Sequence, residues 1–440
     1  MISIKKFINQ PSIRRYITNT SWMMGEKILG LMLVLLVGVW VARYLGPERF
    51  GTYSFVLAVI AVFTPLSELG LNATLTRELV RNPQSARETL GSAFVLRGLG
   101  AFLSGILSLI AISLLRSGEE DVFLYLLMLA FGNLFSALAV VNFWFEATVL
   151  SKHMAIARSV VLIVMAGAKI VLILVQATLS TFVLVSAIEL ALSGLAMSVA
   201  YFSYRQSPKN WIFKFTRAVE FLSESWPLIL SGFAASIYLK IDQIMLAQMV
   251  SDEAVGIYAV AARISEVWYI VPTVLVSSLF PKIIELHDSD LNRFQRYMQK
   301  GYDSLFILSL AVAIPVSLFA EPIVVTLFGK SYQESAPILA IHVWAGLFIF
   351  MRSLLSKWLV IEHLLIFSLV THGLGAVINV LLNFSLIPVY GAIGAAIATV
   401  VSYSTSSYLT LFVSKKTRGA AWMMTIAFAT PVRMLLALRK

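Results

Sequence analysis

The sequence predicts an all-α integral membrane protein with twelve transmembrane helices, arranged as two six-helix bundles related by a pseudo-two-fold axis along the membrane normal. Three observations predict this fold class: the composition, a series of long apolar runs, and an internal repeat. The 440 residues are 59% hydrophobic and 13% charged, whereas soluble domains are about 45–50% apolar and about 25% charged. The composition therefore excludes an ordinary soluble protein.

The apolar runs are continuous and about 20 residues long, which is enough for a helix to cross a bilayer. Strands of a membrane barrel would instead alternate apolar and polar residues. The connections between the runs are too short to fold as a soluble catalytic domain. The predicted spans are 22–44, 50–71, 91–114, 122–144, 156–176, 179–203, 221–247, 254–280, 301–328, 335–361, 364–388 and 390–413.

The internal repeat divides the chain into halves. Trp22 precedes Gly51 by 29 residues, and Trp226 precedes Gly256 by 30 residues. Both copies begin on the same side of the membrane, as in transporters built from parallel repeats. The predicted divisions are an interfacial N-terminal segment at 1–20, a first bundle at 21–203, a cytoplasmic linker at 204–220, a second bundle at 221–413 and a basic tail at 414–440.

The distribution of Lys and Arg predicts the orientation. The two termini and the loops on their side carry 23 of these residues, counting Arg158 at the start of its span, and the opposite loops carry four, counting Arg43 at the end of its span. The positive-inside rule therefore places both termini in the cytoplasm. The net charge of +11 is mostly loop charge facing anionic lipid, so no nucleic-acid partner is expected. Residues 420–438 either lie on the membrane as an interfacial helix or form a thirteenth span.

Charged residues within the spans are the candidate functional groups. Among the charged residues that lie clearly inside the spans, the seven basic ones exceed the four acidic ones by three, and unpaired charge inside a membrane is costly. Because an excess of cations in a hydrated cavity indicates an anionic substrate, we expect a cationic lumen. The basic residues are Lys27, Arg97, Lys169, Lys240, Arg263, Arg352 and Lys357, and the acidic residues are Glu26, Glu189, Asp242 and Glu266.

Arg263 and Glu266 are the sharpest of these candidates. They are three residues apart, so they share a helix face near the membrane midplane. A purely structural ion pair is the alternative interpretation. Matching Gly51 to Gly256 places Ala58 and Ala61 at the equivalent positions. The scaffold therefore does not need these charges, which favours a functional role.

The sequence predicts different locations for the remaining charged residues of the spans. Lys169 lies deep in its span with no acidic residue one turn away, which favours a lumen position. For Arg97 and Arg352 two interpretations are equally good: the side chain lines the lumen, or it extends to the membrane surface. Lys240 and Asp242 either form an ion pair at the rim of the membrane-spanning region, or Lys240 lines the lumen and Asp242 binds the coupling ion. Glu266, Asp242 and Glu189 are the candidate coupling carboxylates, while Lys27, Lys357 and Glu26 lie near the cytoplasmic ends.

Two stretches, "SWMMGEKILGLMLVLLVGVWVARYLGPERFGTYSF" and "NFWFEATVLSKHMAIARSVVLIVMAGAKIVLIL", resemble the bacterial O-antigen and polysaccharide flippases. That family belongs to the multidrug/oligosaccharidyl-lipid/polysaccharide exporter superfamily. The resemblance implies a V-shaped molecule with a central cationic cavity, which flips an undecaprenyl-pyrophosphate-linked oligosaccharide to the periplasmic leaflet of the inner membrane. It also implies a proton or sodium gradient as the driving force and no cofactor.

The resemblance carries over to particular residues as a basic lumen of Arg97, Lys169, Lys240 and Arg263. Lys152 and His153 follow the "WFEA" stretch at a cytoplasmic junction and, with Lys27, are candidates for a cytoplasmic gate. Membrane lipids and other membrane proteins of polysaccharide assembly are the expected partners of a monomer.

Two rival classes remain. A multidrug exporter expels cations, so its lumen should be acidic, and the cationic excess argues against it. A membrane enzyme of polysaccharide assembly could use the Asp-x-Asp motif "DSD" at 288–290. This tripeptide has no nucleotide-binding domain beside it, however, and the sequence shows no catalytic triad or Gly-rich phosphate loop. The absence of cysteine removes thiolate metal sites, and no metal centre is expected.

Overall fold

The structure is a computed structural model that describes residues 11–204, 206–362 and 364–438. These residues form helices, turns and irregular segments but no strand. The all-α prediction is therefore confirmed for this part of the chain. The first ten residues of the predicted interfacial segment, Arg205 and the last two residues of the tail lie outside the described residues.

Seventeen α-helices, labelled α1 to α17 in chain order, make up the described residues, and short 3₁₀ turns join several of them. They are α1 (Pro11–Glu68), α2 (Asn72–Arg81), α3 (Ala86–Leu115), α4 (Glu120–Leu134), α5 (Val141–Ala147), α6 (Ser151–Leu174), α7 (Leu179–Ser203), α8 (Phe215–Met249), α9 (Asp252–Glu266), α10 (Ile270–Ser289), α11 (Leu291–Leu318), α12 (Ala320–Phe328), α13 (Ser335–His342), α14 (Ala345–Ile361), α15 (Leu365–Ser407), α16 (Arg418–Phe428) and α17 (Thr430–Leu438).

Ten helical stretches within the described residues are long and apolar enough to cross a membrane. Two of them, Thr18–Glu68 with 51 residues and Ile366–Phe412 with 47 residues, are each about twice the length that one crossing needs. Each is broken at a glycine with positive φ, Gly46 (φ 74°) in one and Gly391 (φ 55°) in the other. Each of these two stretches covers two of the predicted spans, 22–44 with 50–71 and 364–388 with 390–413, and the number twelve stays a prediction.

One predicted span has different boundaries in the structure. The span predicted at 301–328 begins ten residues earlier, at Leu291, and α11 ends at Leu318. The following residues form the separate helix α12. Pro322 has no backbone N–H to donate to the carbonyl of Leu318, so a continuous helix through this point would lose a hydrogen bond.

The helices form two compact units. The first unit comprises Met1–Tyr44 and Val56–Phe233, and the second comprises Leu45–Phe55 and Ala234–Lys440. Within the first unit, α4 and α7 pack at a small-residue crossing. A Cβ atom added to Gly132 would lie 2.3 Å from the Ala187 carbonyl oxygen. Small residues permit this close approach of helices where lipid gives no hydrophobic driving force.

The predicted cytoplasmic linker, 204–220, packs within the first unit. The backbone N–H of Ile212 donates to the Arg87 carbonyl at 3.0 Å, and the Trp211 ring lies 5.4 Å from the Phe94 ring. The Lys214 ammonium pairs with Glu88 at 2.5 Å. These contacts attach the segment to the N-terminal end of α3, so the linker is an ordered part of this unit.

The second unit has a core of large side chains, of which Tyr302, Phe328, Phe350 and Tyr403 are almost completely buried. The tail helices α16 and α17 belong to this unit and meet at a bend of 53°. The Gln299 amide donates to the Met423 carbonyl at 2.9 Å. The tail is therefore held against α11, and counting α16 and α17 as one broken crossing raises the spanning candidates among described residues to eleven.

Candidate functional site

The structure separates the five basic residues predicted to line a lumen by side-chain type. The two lysines predicted to line a lumen, Lys169 and Lys240, each pair with a glutamate. Among the residues that the structure describes, Arg97, Arg263 and Arg352 have no carboxylate within ion-pair distance. The predicted excess of positive charge is therefore carried by the arginines.

Arg263 is held by an aromatic ring. Its guanidinium carbon lies 4.8 Å from the centroid of the Phe50 ring, which is within the range of a cation–π interaction. The Tyr332 ring meets Phe50 edge-on, with ring centroids 6.2 Å apart. Burial raises the pKa of the Tyr332 phenol above its ordinary value, and the neighbouring Arg263 charge opposes this only in part. Because Tyr332 stays a neutral phenol at neutral pH, it does not balance the charge of Arg263.

Glu266 pairs with a different partner from the one that its spacing predicts. Its carboxylate accepts from the Lys240 ammonium at 3.5 Å, and no direct ion pair with Arg263 forms within the described structure. The interpretation of Arg263 and Glu266 as an ion pair is therefore wrong for this conformation, although the two charges remain within electrostatic range. Lys240 lies on α8 and Glu266 on α9. Their contact depends on how these two helices pack, which spacing along a single helix does not show.

Asp242 is the most buried of the three candidate coupling carboxylates, with 2% of its surface exposed. It does not form the predicted rim pair with Lys240, because residues two apart point in different directions. Its carboxylate accepts from the Tyr258 hydroxyl at 2.6 Å, from the Thr399 hydroxyl at 2.5 Å and from the Asn383 amide. Neutral groups therefore surround the carboxylate.

The surroundings of Asp242 are rich in oxygen atoms. The Thr399 hydroxyl also lies 2.9 Å from the Ala395 carbonyl oxygen, and the Asn383 amide nitrogen donates to Asn379 Oδ1 at 3.1 Å. Asn383 Oδ1 is buried without a hydrogen-bond partner among the described residues. Carboxylate, amide, hydroxyl and carbonyl oxygens are the ligands of hard cations, and a carboxylate can alternatively take a proton.

Lys169 and Glu189 pair within the first unit, at 2.6 Å between Nζ and Oε2. The expectation that Lys169 lacks an acidic partner holds only along its own helix, α6. Its partner lies on α7, and both side chains are mostly buried, with 19% and 22% exposed. This candidate lumen cation is therefore already neutralised by a protein carboxylate.

Arg97, on α3, is 6% exposed. Its guanidinium carbon lies 5.8 Å from the centroid of the Phe143 ring, and its Nε atom is buried without a hydrogen-bond partner among the described residues. Glu68 and Arg158 lie within electrostatic range. Arg97 thus resembles Arg263, since an aromatic ring contacts the guanidinium in each case.

The candidate gate residues Lys27, Lys152 and His153 are exposed. The Lys152 ammonium lies 5.3 Å from the centroid of the Trp22 ring, and the His153 ring hydrogen-bonds the Tyr204 hydroxyl, 2.6 Å from Nδ1. Lys152 and His153 lie at the junction of α5 and α6, directly after the "WFEA" stretch, whereas Lys27 lies on α1. A role in gating stays a prediction.

Arg352 lies on α14 and is 6% exposed. It donates to the Thr371 hydroxyl at 2.9 Å and to the Ser406 carbonyl at 2.7 Å. It also lies 2.8 Å from Nε2 of His372. Arg352 is therefore embedded among neutral groups of α15.

Sequence reasoning identified the charged members of these clusters but missed their neutral members. The missed residues are Tyr258, Asn379, Asn383 and Thr399 around Asp242, and Tyr238 and His372 around Arg352. One signal was available in the sequence, because Asn379 and Asn383 are four residues apart in an otherwise apolar span and therefore share a helix face.

Ten helical stretches long and apolar enough to cross a membrane, with arginines that have no carboxylate partner among the described residues, are typical of a multi-pass integral membrane protein. Residues 16–287 match the family described as "Polysaccharide biosynthesis protein", and the chain belongs to that family. The resemblance inferred from the sequence is confirmed at this level.

Two curated relatives illustrate the family. The chain is 34% identical over 178 residues to the probable flippase AglR of Haloferax volcanii, a match that covers 39% of this chain and 37% of that protein. It is 24% identical over 346 residues to a putative O-antigen transporter of Shigella flexneri, covering 72% of this chain and 78% of the relative. Both names describe transporters, which agrees with the expectation that this chain is not an enzyme.

Two solved structures share the fold. The lipid II flippase MurJ in an inward closed conformation superposes with a TM-score of 0.71 at 16% identity, covering 96% of this chain and 93% of MurJ. An inward-facing multidrug resistance MATE family transporter of the MOP superfamily gives 0.70 at 16% identity, covering 94% and 99%. This likeness confirms the predicted fold class, whereas the central cationic cavity stays a prediction.

Proposed function

We propose that this chain is a flippase that moves an undecaprenyl-pyrophosphate-linked oligosaccharide from the cytoplasmic to the periplasmic leaflet of a bacterial inner membrane. Both termini would lie in the cytoplasm. The observation that carries the proposal is that Arg97, Arg263 and Arg352 lack carboxylate partners among the described residues. A cation without a protein counter-charge inside a membrane is costly unless an anion arrives to balance it.

A diphosphate suits these cations better than a drug cation does. A guanidinium can bind phosphate oxygens through two parallel N–H groups, whereas an ammonium acts as a point charge. Lys169 and Lys240 are already neutralised by Glu189 and Glu266. The arginines are therefore the groups that we assign to the diphosphate, with the sugars passing through hydrated space and the polyprenyl tail remaining in lipid.

Arg263 is the principal candidate for the diphosphate contact. It is half-buried, so an incoming headgroup has a route to it, and Phe50 supports one face of the guanidinium. Arg97 is the second candidate, since it has the same aromatic support and lies on a different unit. A small number of arginines, in contrast to a dense cluster, would bind a diphosphate strongly enough to admit it and weakly enough to release it.

We further propose that a proton or sodium gradient drives transport through Asp242. Glu189 and Glu266 each face a lysine, so protonating either would leave a partly buried ammonium unpaired. Asp242 has no cationic partner within the described residues. A proton bound to its carboxylate, or a sodium ion bound among its oxygen neighbours, would therefore neutralise the charge of Asp242 without leaving a protein cation unbalanced. Rotation of the Asn383 amide would turn its unpartnered oxygen toward the ion.

The test is transport of a fluorescent polyprenyl-diphosphate oligosaccharide in proteoliposomes that contain the full chain. Arg263→Glu should abolish transport with no loss of folded protein in the membrane. Arg293→Glu is the matched control, because Arg293 has 71% of its side chain exposed on α11, and it should leave transport unchanged. Normal transport by Arg263→Glu, or export of organic cations by the wild-type protein in place of the lipid, would contradict the proposal.

A further inference from the structure

The C-terminal tail, residues 414–440, carries charge and apolar surface that the proposed transport path does not explain. The tail contains six basic residues and no acidic residue. Four large apolar side chains of α17 have 54–63% of their surface exposed, and these are Val432, Met434, Leu435 and Leu436. A segment with only positive charge and with exposed apolar side chains is typical of a helix that binds a membrane surface.

The tail is fixed to the second unit by polar and small side chains. The Asp303 carboxylate on α11 accepts from the Thr430 hydroxyl at 3.0 Å and from the Arg433 guanidinium at 3.4 Å. On α16 four residues are completely buried, and these are Ala420, Ala421, Met424 and Ala427. The tail is therefore docked, while the large apolar side chains of α17 stay largely uncovered by the described part of the protein.

The contact with Asp303 places α17 at one end of the membrane-spanning region. The N-terminal part of α11 carries three basic residues, Arg293, Arg296 and Lys300. Asp303 follows Lys300 by three residues and is the third residue of the span predicted at 301–328. In the orientation proposed above, this level is the cytoplasmic boundary of the bilayer.

Length and charge favour a helix that lies on the membrane over a thirteenth crossing. The nine residues of α17 extend about 13–14 Å, which is less than half of the hydrocarbon thickness of about 30 Å. A crossing by α16 and α17 together would place the basic residues at its two ends on opposite sides, against the positive-inside rule. These residues are Lys415, Lys416 and Arg418 at one end and Arg439 and Lys440 at the other.

From this we infer that α17 and the basic residues of the tail form a binding surface for anionic phospholipids of the cytoplasmic leaflet. The exposed apolar side chains insert among the acyl chains, and the lysines and arginines contact the headgroup phosphates. A soluble phosphate would match the charge but leave the apolar side chains uncovered, whereas a zwitterionic lipid would cover them but bring no net charge. The inference rests on the proposed orientation of the chain and does not depend on the transported substrate.

The experiment measures the depth of α17 in a bilayer. The chain contains no cysteine, so Leu435→Cys labelled with bimane reports a single position in the full chain. The labelled protein is placed in nanodiscs of phosphatidylcholine with or without phosphatidylglycerol, and the quencher is phosphatidylcholine brominated either near the headgroup or deep in the acyl chain. We expect bromine near the headgroup to quench more strongly, and the quenching to increase when phosphatidylglycerol is present.

Val377→Cys is the depth control, because Val377 is 56% exposed and lies near the middle of the span predicted at 364–388. Bimane at this position should be quenched most by the deep bromine. Its quenching should not respond to phosphatidylglycerol, since no charge of the tail acts at that depth.

The dependence on charge is tested in the Leu435→Cys chain. Lys415→Gln combined with Lys416→Gln removes two exposed charges without touching the contact with Asp303, and it should reduce the gain from phosphatidylglycerol by about half or more. Arg49→Gln combined with Lys330→Gln is the matched control, because these two exposed residues lie in the loops opposite the termini. This control should keep the full gain.

Three results would overturn the inference. Stronger quenching of the Leu435→Cys label by the deep bromine would mean that α17 crosses the bilayer, and absence of quenching would mean that lipid does not cover it. Equal quenching with and without phosphatidylglycerol would mean that the surface does not select anionic lipid. Since none of these measurements uses transport, failure of the proposed flippase activity would leave them unchanged.

Discussion

Gly51 and Gly256, the two glycines at equivalent positions of the internal repeat, lie against each other within the second unit. A Cβ atom added to Gly51 would lie 1.6 Å from the Asp252 carbonyl oxygen and 2.9 Å from the Gly256 nitrogen. A Cβ atom added to Gly256 would lie 2.0 Å from the Pro47 carbonyl oxygen and 3.1 Å from the Gly51 nitrogen. The contact is reciprocal, because Pro47 and Asp252 are also equivalent in the repeat. Each copy thus supplies the same surface to this crossing.

Replacing either glycine at this crossing should destabilise the second unit. Gly51→Leu or Gly256→Leu forces the backbones of 45–55 and α9 apart, and overpacking of this kind costs about 1–3 kcal/mol. We expect a lower thermal unfolding midpoint for the purified protein. Gly167→Leu is the control, because a Cβ atom there meets nothing within 4 Å. Equal midpoints for Gly256→Leu and the control would show that the crossing is not tightly packed.

Removing the ring beneath Arg263 should weaken substrate binding. Phe50→Leu deletes a cation–π contact worth up to about 2 kcal/mol in a desolvated site, so we expect the half-saturating concentration of lipid-linked diphosphate to rise about fivefold. Phe50→Tyr keeps an aromatic face and should stay close to wild type.

Phe350→Leu controls for the loss of core volume, since Phe350 is as deeply buried as Phe50. It should lower stability without a comparable change in half-saturation. If Phe50→Leu and Phe350→Leu change half-saturation equally, the ring acts only as core packing.

Exchanging the charges of Lys169 and Glu189 separates pairing from substrate binding. Each single reversal, Lys169→Glu or Glu189→Lys, places like charges side by side and should lower the unfolding midpoint. The double exchange restores opposite charges across the 2.6 Å contact and should recover both the midpoint and transport. Recovery of stability without recovery of transport would instead mean that Lys169 contacts the substrate.

The coupling carboxylate can be identified by measuring transport at several proton and sodium gradients. Asp242→Asn keeps the shape of the side chain but removes its charge, and it should make transport independent of the gradient. Glu266→Gln should keep the gradient dependence, because Glu266 is committed to Lys240. The assignment of Asp242 fails if Asp242→Asn responds to the gradient as wild type does.

The sequence identified most of the charged residues that matter but not how they are paired. Arg263 was found because a charge interrupts an apolar run, and that signal is local. A structural ion pair with Glu266 was the alternative interpretation that spacing along one helix offered, yet in the structure Glu266 pairs with Lys240 of α8. Spacing describes neighbours on one helix only, whereas an ion pair forms with whichever charge the packing of helices brings within reach.

The neutral partners were harder to predict than the charges. Tyr258 of α9 meets Asp242 together with Asn383 and Thr399, which lie on either side of the Gly391 break in α15. Ser, Thr, Asn and Tyr are common enough in spans that no single one signals a site. Only their convergence on one carboxylate distinguishes them.

The long apolar runs are enough to establish that this chain crosses the membrane many times as helices, since continuous apolar segments in lipid satisfy their backbone hydrogen bonds within each helix. It also determined that its spans hold more positive than negative charge. The packing of the helices decides that Lys169 and Lys240 are neutralised by glutamates while Arg97, Arg263 and Arg352 have no carboxylate partner among the described residues, because Coulomb interaction falls with distance in space. Distances between helices are set by packing and cannot be obtained from the order of residues in the chain.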